Sequence, residues 1–388
     1  MGRNSRTLRC AILPVLGKRG HWLAVQNPDW DYVVGEDIEL TWKTGSCAAR
    51  QLLLQQIRTK DAIAARERLA AVWEQEKADE RLAFLETFQT NLSMEDEPFL
   101  EAALNDRRKE VRCKAAELLA HLPESRLCQR MAQRVRPLLT LQKKRNRVHL
   151  DFTLSATADE GMLKDGIDSK QPPHLLGAQA WRLMQMVAAT PLSVWYEING
   201  EPPAEWIQAA KRSEWDRTLV EGWAVAALRQ QNAEWAEALL SVHTNFNGYL
   251  CSKDKLIEGL IGVLSPEQRD AFFLKLLPSK SAPFDSTHPA FSLLSHYRYP
   301  WSEKLSRVVA AGIQRYFTNT KNSYDWSLRS ALKDFACYIA PSLVSELSAT
   351  LPAAVPQESS WASYWAEAID EFLALLHFRQ EMLKELKK

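Results

Sequence analysis

The stretch 103–123, ALNDRRKEVRCKAAELLAHLP, has the pattern of one amphipathic helix that follows an acidic residue. Its apolar positions recur at intervals of three or four and form one stripe along the helix. They are Val111, Ala115, Leu118, Leu119 and Leu122. Asp106 precedes the stripe, where an N-cap carboxylate would accept backbone N–H hydrogen bonds. A single helix cannot bury such a stripe alone, whereas a row of antiparallel helix pairs can, so the stretch predicts an α-solenoid.

Similar segments surround this stretch from residue 46 to 141. Apolar residues recur there at helical spacing and predict helices near 47–58, 61–75, 78–91, 94–105, 108–121 and 124–139. The stretch resembles a HEAT repeat in its turn aspartate, its Val-Arg pair and its Ala/Leu-rich helix. Arg66 and Arg112 lie 46 residues apart, within the roughly 40–47-residue period of HEAT and armadillo repeats. Three helices fit into that interval, so two-helix and three-helix registers both stay open.

The pattern changes between residues 142 and 176. Alternate positions of 148–154 are apolar, which is typical of a strand. The other alternating run is 38–42, so either these two runs pair or the segment is an extended arm that lies on the helices. Both alternatives make 142–176 an insertion between two helical regions.

Helical periodicity resumes after residue 176. It predicts helices near 177–189, 203–212, 215–231, 233–243, 254–263, 266–277, 302–318, 325–337, 341–349 and 359–386. The predicted regions are an amino-terminal helix and loop (1–45), HEAT-like helical repeats (46–141), an inserted arm or linker (142–176) and a carboxy-terminal helical region (177–388). A loop with two prolines at 279–290 would mark any further division of the last region. The predicted fold class is all-α: a HEAT/armadillo-like α-solenoid, a short irregular or β-containing insertion, and a second helical block.

The sequence lacks the motifs of common catalytic and metal sites. Its six Cys and eight His are scattered, with no CxxC and no HExxH, which argues against a zinc or redox site. There is no GxSxG and no GxxxxGK[ST], the motifs of a hydrolase nucleophile and of a phosphate-binding loop. The acidic loop 156–174 does not match the EF-hand ligand spacing, so a solvated loop is favoured over a Ca²⁺ or Mg²⁺ site. We therefore expect neither a metal nor a cofactor.

The chain shows no sign of a membrane span or of export. No run approaches the ~20 apolar residues that a spanning helix needs. The basic amino terminus is followed by only eight apolar residues and then by Lys18 and Arg19, where a signal peptide would have small residues. We expect a cytoplasmic protein that makes no contact with a membrane.

Charge is segregated along the chain, although the total is only +1. Residues 61–106 hold twelve acids and four bases, whereas 107–147 hold thirteen bases and three acids. The predicted contacts with an anionic partner are Arg107, Arg108, Arg126, Arg130, Arg134, Lys143, Lys144 and Arg145. These cations could pair with the acids that precede them, bind an acidic protein surface, or bind nucleic-acid phosphates. Internal pairing is the simplest of the three, because cations at a helix start oppose the helix dipole and need nearby acids.

Fourteen tryptophans are the second unusual feature. Trp215, Leu219 and Trp223 recur at intervals of four, and a similar stripe begins at Trp361 and Trp365. Aromatic faces beside cations can stack nucleic-acid bases. These tryptophans lie within apolar stripes, however, where large rings fill the space between helices. We therefore interpret them as core residues.

Four longer strings resemble an uncharacterised bacterial family of HEAT-like domains of unknown function. They are GKRGHWLAVQNPDWDYV at 17–33, WKTGS at 42–46, DEPFLEAALNDRRKEVRCKAAELLAHLPESRLCQRM at 96–131, and KDGIDSKQPPHLLGAQAWRLMQMVAATPLSVW at 164–195. Such family members are often encoded beside MoxR-type AAA+ ATPases and von Willebrand factor A-domain proteins. The resemblance implies a protein partner of one of these kinds and brings no catalytic residues.

These observations predict a non-catalytic protein-binding scaffold or adaptor, because solenoids present long surfaces to partners. A rival hypothesis is a HEAT-like alkylpurine DNA glycosylase or another nucleic-acid-binding protein, which would use a basic groove and aromatic side chains. The near-neutral total charge argues against it. A purely structural module within a larger assembly is a third alternative.

Overall fold

The computed structural model of the protein is mostly helical and contains one small sheet. It describes Arg19 and residues 38–144, 147–155, 157–167, 177–245, 254–277, 283–318, 324–355 and 361–386. Within these residues the predicted all-α class with a short β-containing insertion is confirmed, because helices dominate and the only strands form that insertion. The described residues divide into two compact units. The first comprises those as far as Leu127 together with 158–167, and the second comprises the remainder.

The first unit is built from short helices joined by tight turns. Its helices are α1 Ile38–Thr44, α2 Cys47–Lys60, α3 Ala62–Ala70, α4 Ala78–Glu86, α5 Glu97–Ala103, α6 Lys109–Leu119, the beginning of α7 Arg126–Leu138, and α8 Glu160–Lys164. Single 3₁₀ turns follow α3 and α4 and precede α5. Ser46 and Asp61 cap α2 and α3, since their side chains accept from the N–H groups of Ala49 and Ala64 at 3.3 and 2.9 Å.

The stripe of α6 is buried as predicted, but the helix begins later than expected. Val111, Ala115 and Leu119 are at most 1% exposed. Arg108, rather than Asp106, precedes the first helical residue. The Asp106 carboxylate accepts from the Arg108 N–H at 2.8 Å and also binds Arg81 Nε at 2.9 Å. This second contact with α4 could not be deduced from the local sequence, which favoured a simple N-cap.

The segment 158–167 packs against α6 within the first unit. Gly166 has a φ of +78°, and a Cβ there would lie 2.6 Å from Cβ of Ala116. The Cys113 thiol donates to the Gly166 carbonyl at 3.7 Å. Only glycine combines this left-handed backbone with such a close approach. Asp159, one of the loop acids, caps α8 by accepting from Met162 N–H at 2.6 Å.

The strand predicted within 148–154 pairs with residues 139–144 and not with 38–42. The strands β1 Leu139–Lys144 and β2 Arg147–Phe152 form an antiparallel pair with Leu141 opposite Leu150. The run 38–42 is not a strand but lies in α1, so pairing between the two alternating runs is wrong. Thr41 and Trp42 are buried, and Trp42 contacts Phe84 at a ring-centroid distance of 5.9 Å. Tertiary packing therefore overrides an alternation that is only five residues long.

The second unit contains the end of α7, the two strands and twelve further helices in its described part. They are α9 Ala178–Ala189, α10 Ser193–Asn199, α11 Pro203–Ala210, α12 Asp216–Arg229, α13 Ala233–Asn245, α14 Asp254–Val263, α15 Pro266–Leu276, α16 Phe291–Ser295, α17 Glu303–Thr318, α18 Trp326–Phe335, α19 Val344–Ala354 and α20 Ala362–Leu386. Helices α9 and α12 pack closely, since a Cβ on Gly222 would lie 2.7 Å from Cγ1 of Val187. Trp223 and Trp365 are fully buried, which confirms their predicted core role. Trp215 and Trp361 are only half-buried, so the same prediction is wrong for these two rings.

Lys211, between α11 and α12, links the stability of this unit to pH. Burial lowers the pKa of its ammonium group to about 8. The unfolded chain therefore binds more protons than the native protein between about pH 8 and 10.5. We therefore expect Lys211 to increase the free energy of unfolding as the pH rises through this window. Denaturant unfolding from pH 7.5 to 10.5 should show a shallower rise for Lys211→Met than for the wild type, and identical slopes would contradict the assignment.

Candidate partner-binding surfaces

The first two predicted contact residues lie in the turn before α6. Arg107 and Arg108 are both exposed. Arg108 Nη2 lies 3.5 Å from Asp79 Oδ1, and both side chains are largely solvated. Such a pair stabilises the fold by less than ~1 kcal/mol, so it would leave Arg108 able to contact another molecule. Asp79 stands on α4, which contains part of the acidic segment that precedes the basic run.

Arg126 is the first residue of α7 and follows the end of α6 that is farther from Arg107 and Arg108. It forms an ion pair with Glu97 of the same unit. Its Nε and Nη2 atoms donate to the two carboxylate oxygens of Glu97 at 2.7 and 2.9 Å. The Ser125 hydroxyl donates to the Leu119 carbonyl at 3.0 Å, which holds the start of α7 beside the end of α6. The eleven residues of α6 span about 16 Å. Arg108 and Arg126 therefore do not form one cluster.

The remaining predicted residues belong to the second unit. Arg130 and Arg134 lie on α7 as predicted, and both are half-buried rather than fully exposed. Lys143 and Lys144 are the last two residues of β1, not part of a helix or a loop. Arg145 lies outside the described residues. The structure therefore separates the predicted set into a turn, a helix and a strand.

Internal pairing accounts for several other arginines of the first unit. Arg58 is fully buried and binds both carboxylate oxygens of Asp96, at 3.1 and 2.7 Å. Arg50 binds Glu76 through both of its terminal nitrogens, and these hydrogen bonds hold the pKa of Glu76 below its ordinary value. In each case an arginine of α2 reaches an acid more than twenty residues later: Glu76 lies in the turn before α4, and Asp96 directly precedes α5.

Sequence reasoning missed a group of three neighbouring aromatic rings in the second unit, Tyr324, Trp361 and Tyr364. We call these rings, together with the exposed Trp326 two residues after Tyr324, the aromatic surface. The Tyr324 ring centroid lies 5.2 Å from that of Trp361 and 5.1 Å from that of Tyr364. Tyr324 is 52% exposed and Trp326 is 63% exposed. Trp361 and Tyr364 are half-buried. Because Tyr and Trp are enriched where proteins bind each other, the exposed Tyr324 beside them, with Trp326 two residues later, is a candidate interface.

A cation and its acid hold one side of the aromatic surface in place. The Arg329 guanidinium lies 4.2 Å from the Tyr364 ring centroid, and its Nη1 donates to the Tyr364 carbonyl at 3.0 Å. Its Nη2 binds Glu367 at 2.6 Å. Burial raises the pKa of the Tyr364 hydroxyl. These contacts fix the start of α20 against α18, so the rings are presented by packed helices.

A helical-wheel argument could have identified Trp326. The buried residues of α18 are Leu328, Ala331, Leu332 and Phe335, which share one face. At 100° per residue Trp326 points about 160° away from Leu328. A tryptophan on the polar side of a helix indicates an exposed ring. The number of tryptophans in the chain does not reveal this.

Metal-binding clusters and membrane-spanning helices are both absent from the described residues. They contain no group of three or more His, Cys, Asp and Glu side chains that could hold a metal ion. Within the same residues, every helix is too short or too polar to cross a bilayer.

Comparison with known proteins gives one match. The sequence profile of a protein family, described as a family of unknown function (DUF5691), matches residues 1–386. No curated protein and no solved structure matches the chain.

Proposed function

Because the chain belongs to a family of unknown function, DUF5691, we propose its function from its own surfaces: a non-catalytic protein-binding scaffold or adaptor. The observation that carries the proposal is the aromatic surface. Tyr324 and Trp326 are more than half exposed, although each could bury a large area against a partner. Aromatic residues beside an arginine are typical of the residues that dominate binding energy.

We further propose that the helices of the first unit are the HEAT-like repeats that the sequence predicts and that they form a frame for binding. The buried Arg58–Asp96 pair and the Arg81–Asp106 pair of this unit connect α2 and α4 with the turns before α5 and α6. Rigid frames lose little conformational entropy when they bind a partner. We propose a MoxR-type AAA+ ATPase or a von Willebrand factor A-domain protein as that partner, on the basis of the family resemblance described above.

Loss of the aromatic surface should weaken capture of the partner without unfolding the protein. We expect the double variant Tyr324→Ala/Trp326→Ala to bind at least about thirtyfold more weakly, because loss of one hot-spot Trp or Tyr alone costs about 2 kcal/mol or more. The purified chain would be titrated against a MoxR-type ATPase and, separately, against a von Willebrand factor A-domain protein from the same host. Binding would be followed by biolayer interferometry.

Tyr196→Ala is the matched control, because Tyr196 is 66% exposed and stands on α10. It should leave binding unchanged, and all three proteins should have the same thermal midpoint. If neither candidate partner binds the wild type, the partner assignment is wrong. If a partner binds and the double variant binds equally well, the aromatic surface is not the interface. Tight duplex-DNA binding with a steep salt dependence would instead favour the glycosylase hypothesis.

A further inference from the structure

The acidic residues of α20 continue the side of the helix that carries the aromatic surface. Tyr364, Glu367 and Glu371 follow one another at intervals of three and four, so they lie on one side of α20. Glu367 is 65% exposed, and Asp370 and Glu371 are exposed as well. Neither Asp370 nor Glu371 forms an ion pair within the part of the chain that the structure describes. Exposed rings and exposed carboxylates therefore adjoin each other on α20.

The two helical segments that carry the aromatic surface are negatively charged together. Residues 324–333 and 361–371 contain four acids and two bases. One of the bases, Arg329, is already bound to Glu367. The other, Lys333, lies on α18 about 10 Å beyond Trp326 along the helix. Such a surface attracts a cationic partner and repels an anionic one.

Arg329 shows how this surface holds a guanidinium group. The group lies 4.2 Å from the Tyr364 ring centroid, and its Nη2 binds Glu367 at 2.6 Å. Hydrogen bonding to Glu367, together with a smaller electrostatic effect of Glu371, raises the pKa of Arg329. A guanidinium can stack on an aromatic face while its planar fork binds a carboxylate. Tyr324 is 52% exposed, so a guanidinium of another molecule can reach its ring.

We propose that the aromatic surface binds a basic, arginine-containing segment of the partner protein, whose guanidinium groups stack on Tyr324 and Trp326 and pair with the acids of α20. This inference rests on the proposed protein-binding function and names the chemistry of the partner at the same surface. Arginine should be preferred over lysine, because an ammonium group lacks the planar fork. Binding should weaken as the salt concentration rises, because salt screens exposed charges.

The probes are fluorescein-labelled eight-residue peptides in which Ser alternates with Arg, Lys or Glu. Each peptide is titrated against the full chain and followed by fluorescence anisotropy. We expect saturable binding of the Arg peptide, weaker binding of the Lys peptide and none of the Glu peptide. The double variant Tyr324→Ala/Trp326→Ala should bind the Arg peptide about fivefold more weakly or less tightly still, because each exposed cation–π contact contributes a factor of about two to five.

Charge reversal at Glu371 tests the acids separately from the rings. Glu371→Lys should weaken binding of the Arg peptide about tenfold, because it removes one attraction and adds one repulsion of about threefold each. Glu74→Lys is the matched control, because Glu74 is an exposed acid of the first unit, which contains no residue of the aromatic surface. It should change the affinity less than about twofold. All variants should keep the thermal midpoint of the wild type.

Three results of the peptide titrations would overturn the proposal. They are no saturable binding of the Arg peptide up to about 1 mM, a concentration far above the range of specific complexes, equal losses in Glu371→Lys and Glu74→Lys, and unchanged affinity in the double variant. Either of the last two would show that the peptide binds elsewhere on the chain.

Titration of Glu371→Lys against the two candidate partners separates this proposal from the scaffold function. If capture of a partner requires Tyr324 and Trp326 but is unaffected by Glu371→Lys, the basic segment is wrong and the scaffold function stands. If the Arg peptide responds to both changes but neither candidate partner binds, the basic segment is supported and only the choice of partner is wrong.

Discussion

Replacing Arg58 with alanine is expected to lower the free energy of unfolding by about 3–5 kcal/mol, the range for removing one partner of a buried ion pair. Arg58 is fully buried and its guanidinium binds Asp96, which is 1% exposed. Its Nε also donates to the Thr90 carbonyl at 2.9 Å, and the guanidinium lies 4.2 Å from the Phe88 ring centroid. The variant would leave the Asp96 carboxylate buried without its main cation. Urea denaturation followed by circular dichroism would measure the loss.

Arg68→Ala is the matched control for Arg58→Ala. Arg68 binds Glu39 at 2.6 Å, but the two side chains are 27% and 57% exposed, and solvent screens such pairs. Its removal should cost less than about 1 kcal/mol. A double variant that replaces Arg58 and Asp96 with Met and Leu should recover part of the stability lost by Arg58→Ala, because no buried charge remains. If Arg58→Ala and Arg68→Ala lose similar amounts, the buried pair does not hold this unit together.

Replacing Trp223 with alanine should destabilise the second unit by about 3–5 kcal/mol, as large-to-small changes in a core do. Trp223 is fully buried, and its ring centroid lies 5.2 Å from those of Trp195 and Trp235. Trp206 completes the cluster at 6.4 Å. Four helices contribute one ring each, so the cavity would lie where α10, α11, α12 and α13 meet. Urea denaturation followed by tryptophan fluorescence would measure the loss.

Trp223→Phe separates packing from hydrogen bonding. The indole Nε1 of Trp223 has no hydrogen-bond partner among the described residues, so phenylalanine removes volume without breaking a hydrogen bond. We expect a loss of about 1–3 kcal/mol, clearly smaller than that of alanine. Phenylalanine as damaging as alanine would show that the indole nitrogen is bonded in solution, and a loss below 1 kcal/mol for alanine would show that the cluster is not tightly packed.

Local patterns predicted most helices because burial of one face follows directly from apolar spacing. The stripe of Val111, Ala115 and Leu119 is buried, and Ser46 and Asp61 cap the helices they precede. Pro137 stands in the last turn of α7, and β1 begins two residues later, where a helix end had been predicted. Proline removes a helical donor, but the pairing of 139–144 with 147–152 is a tertiary event that no local spacing revealed.

The candidate surfaces were harder to predict than the fold. Charge alone grouped Arg108 with Arg126, yet α6 separates them and Arg126 is bound to Glu97. Charge also selected Lys143 and Lys144 without showing that they belong to a strand. The aromatic surface depends on rings that meet between α18 and the start of α20, including Tyr324 and Tyr364, which are forty residues apart.

The sequence by itself determined which faces of the helices are apolar, where several of them begin, and that an insertion with a strand-like alternation separates two helical regions between residues 142 and 176. These properties depend on spacing within a few residues. Only the tertiary structure decided which cations meet acids, which rings stay exposed, and which strand partners which. Those outcomes depend on contacts between distant segments, whose geometry is set by packing and not by the order of residues in any one of them.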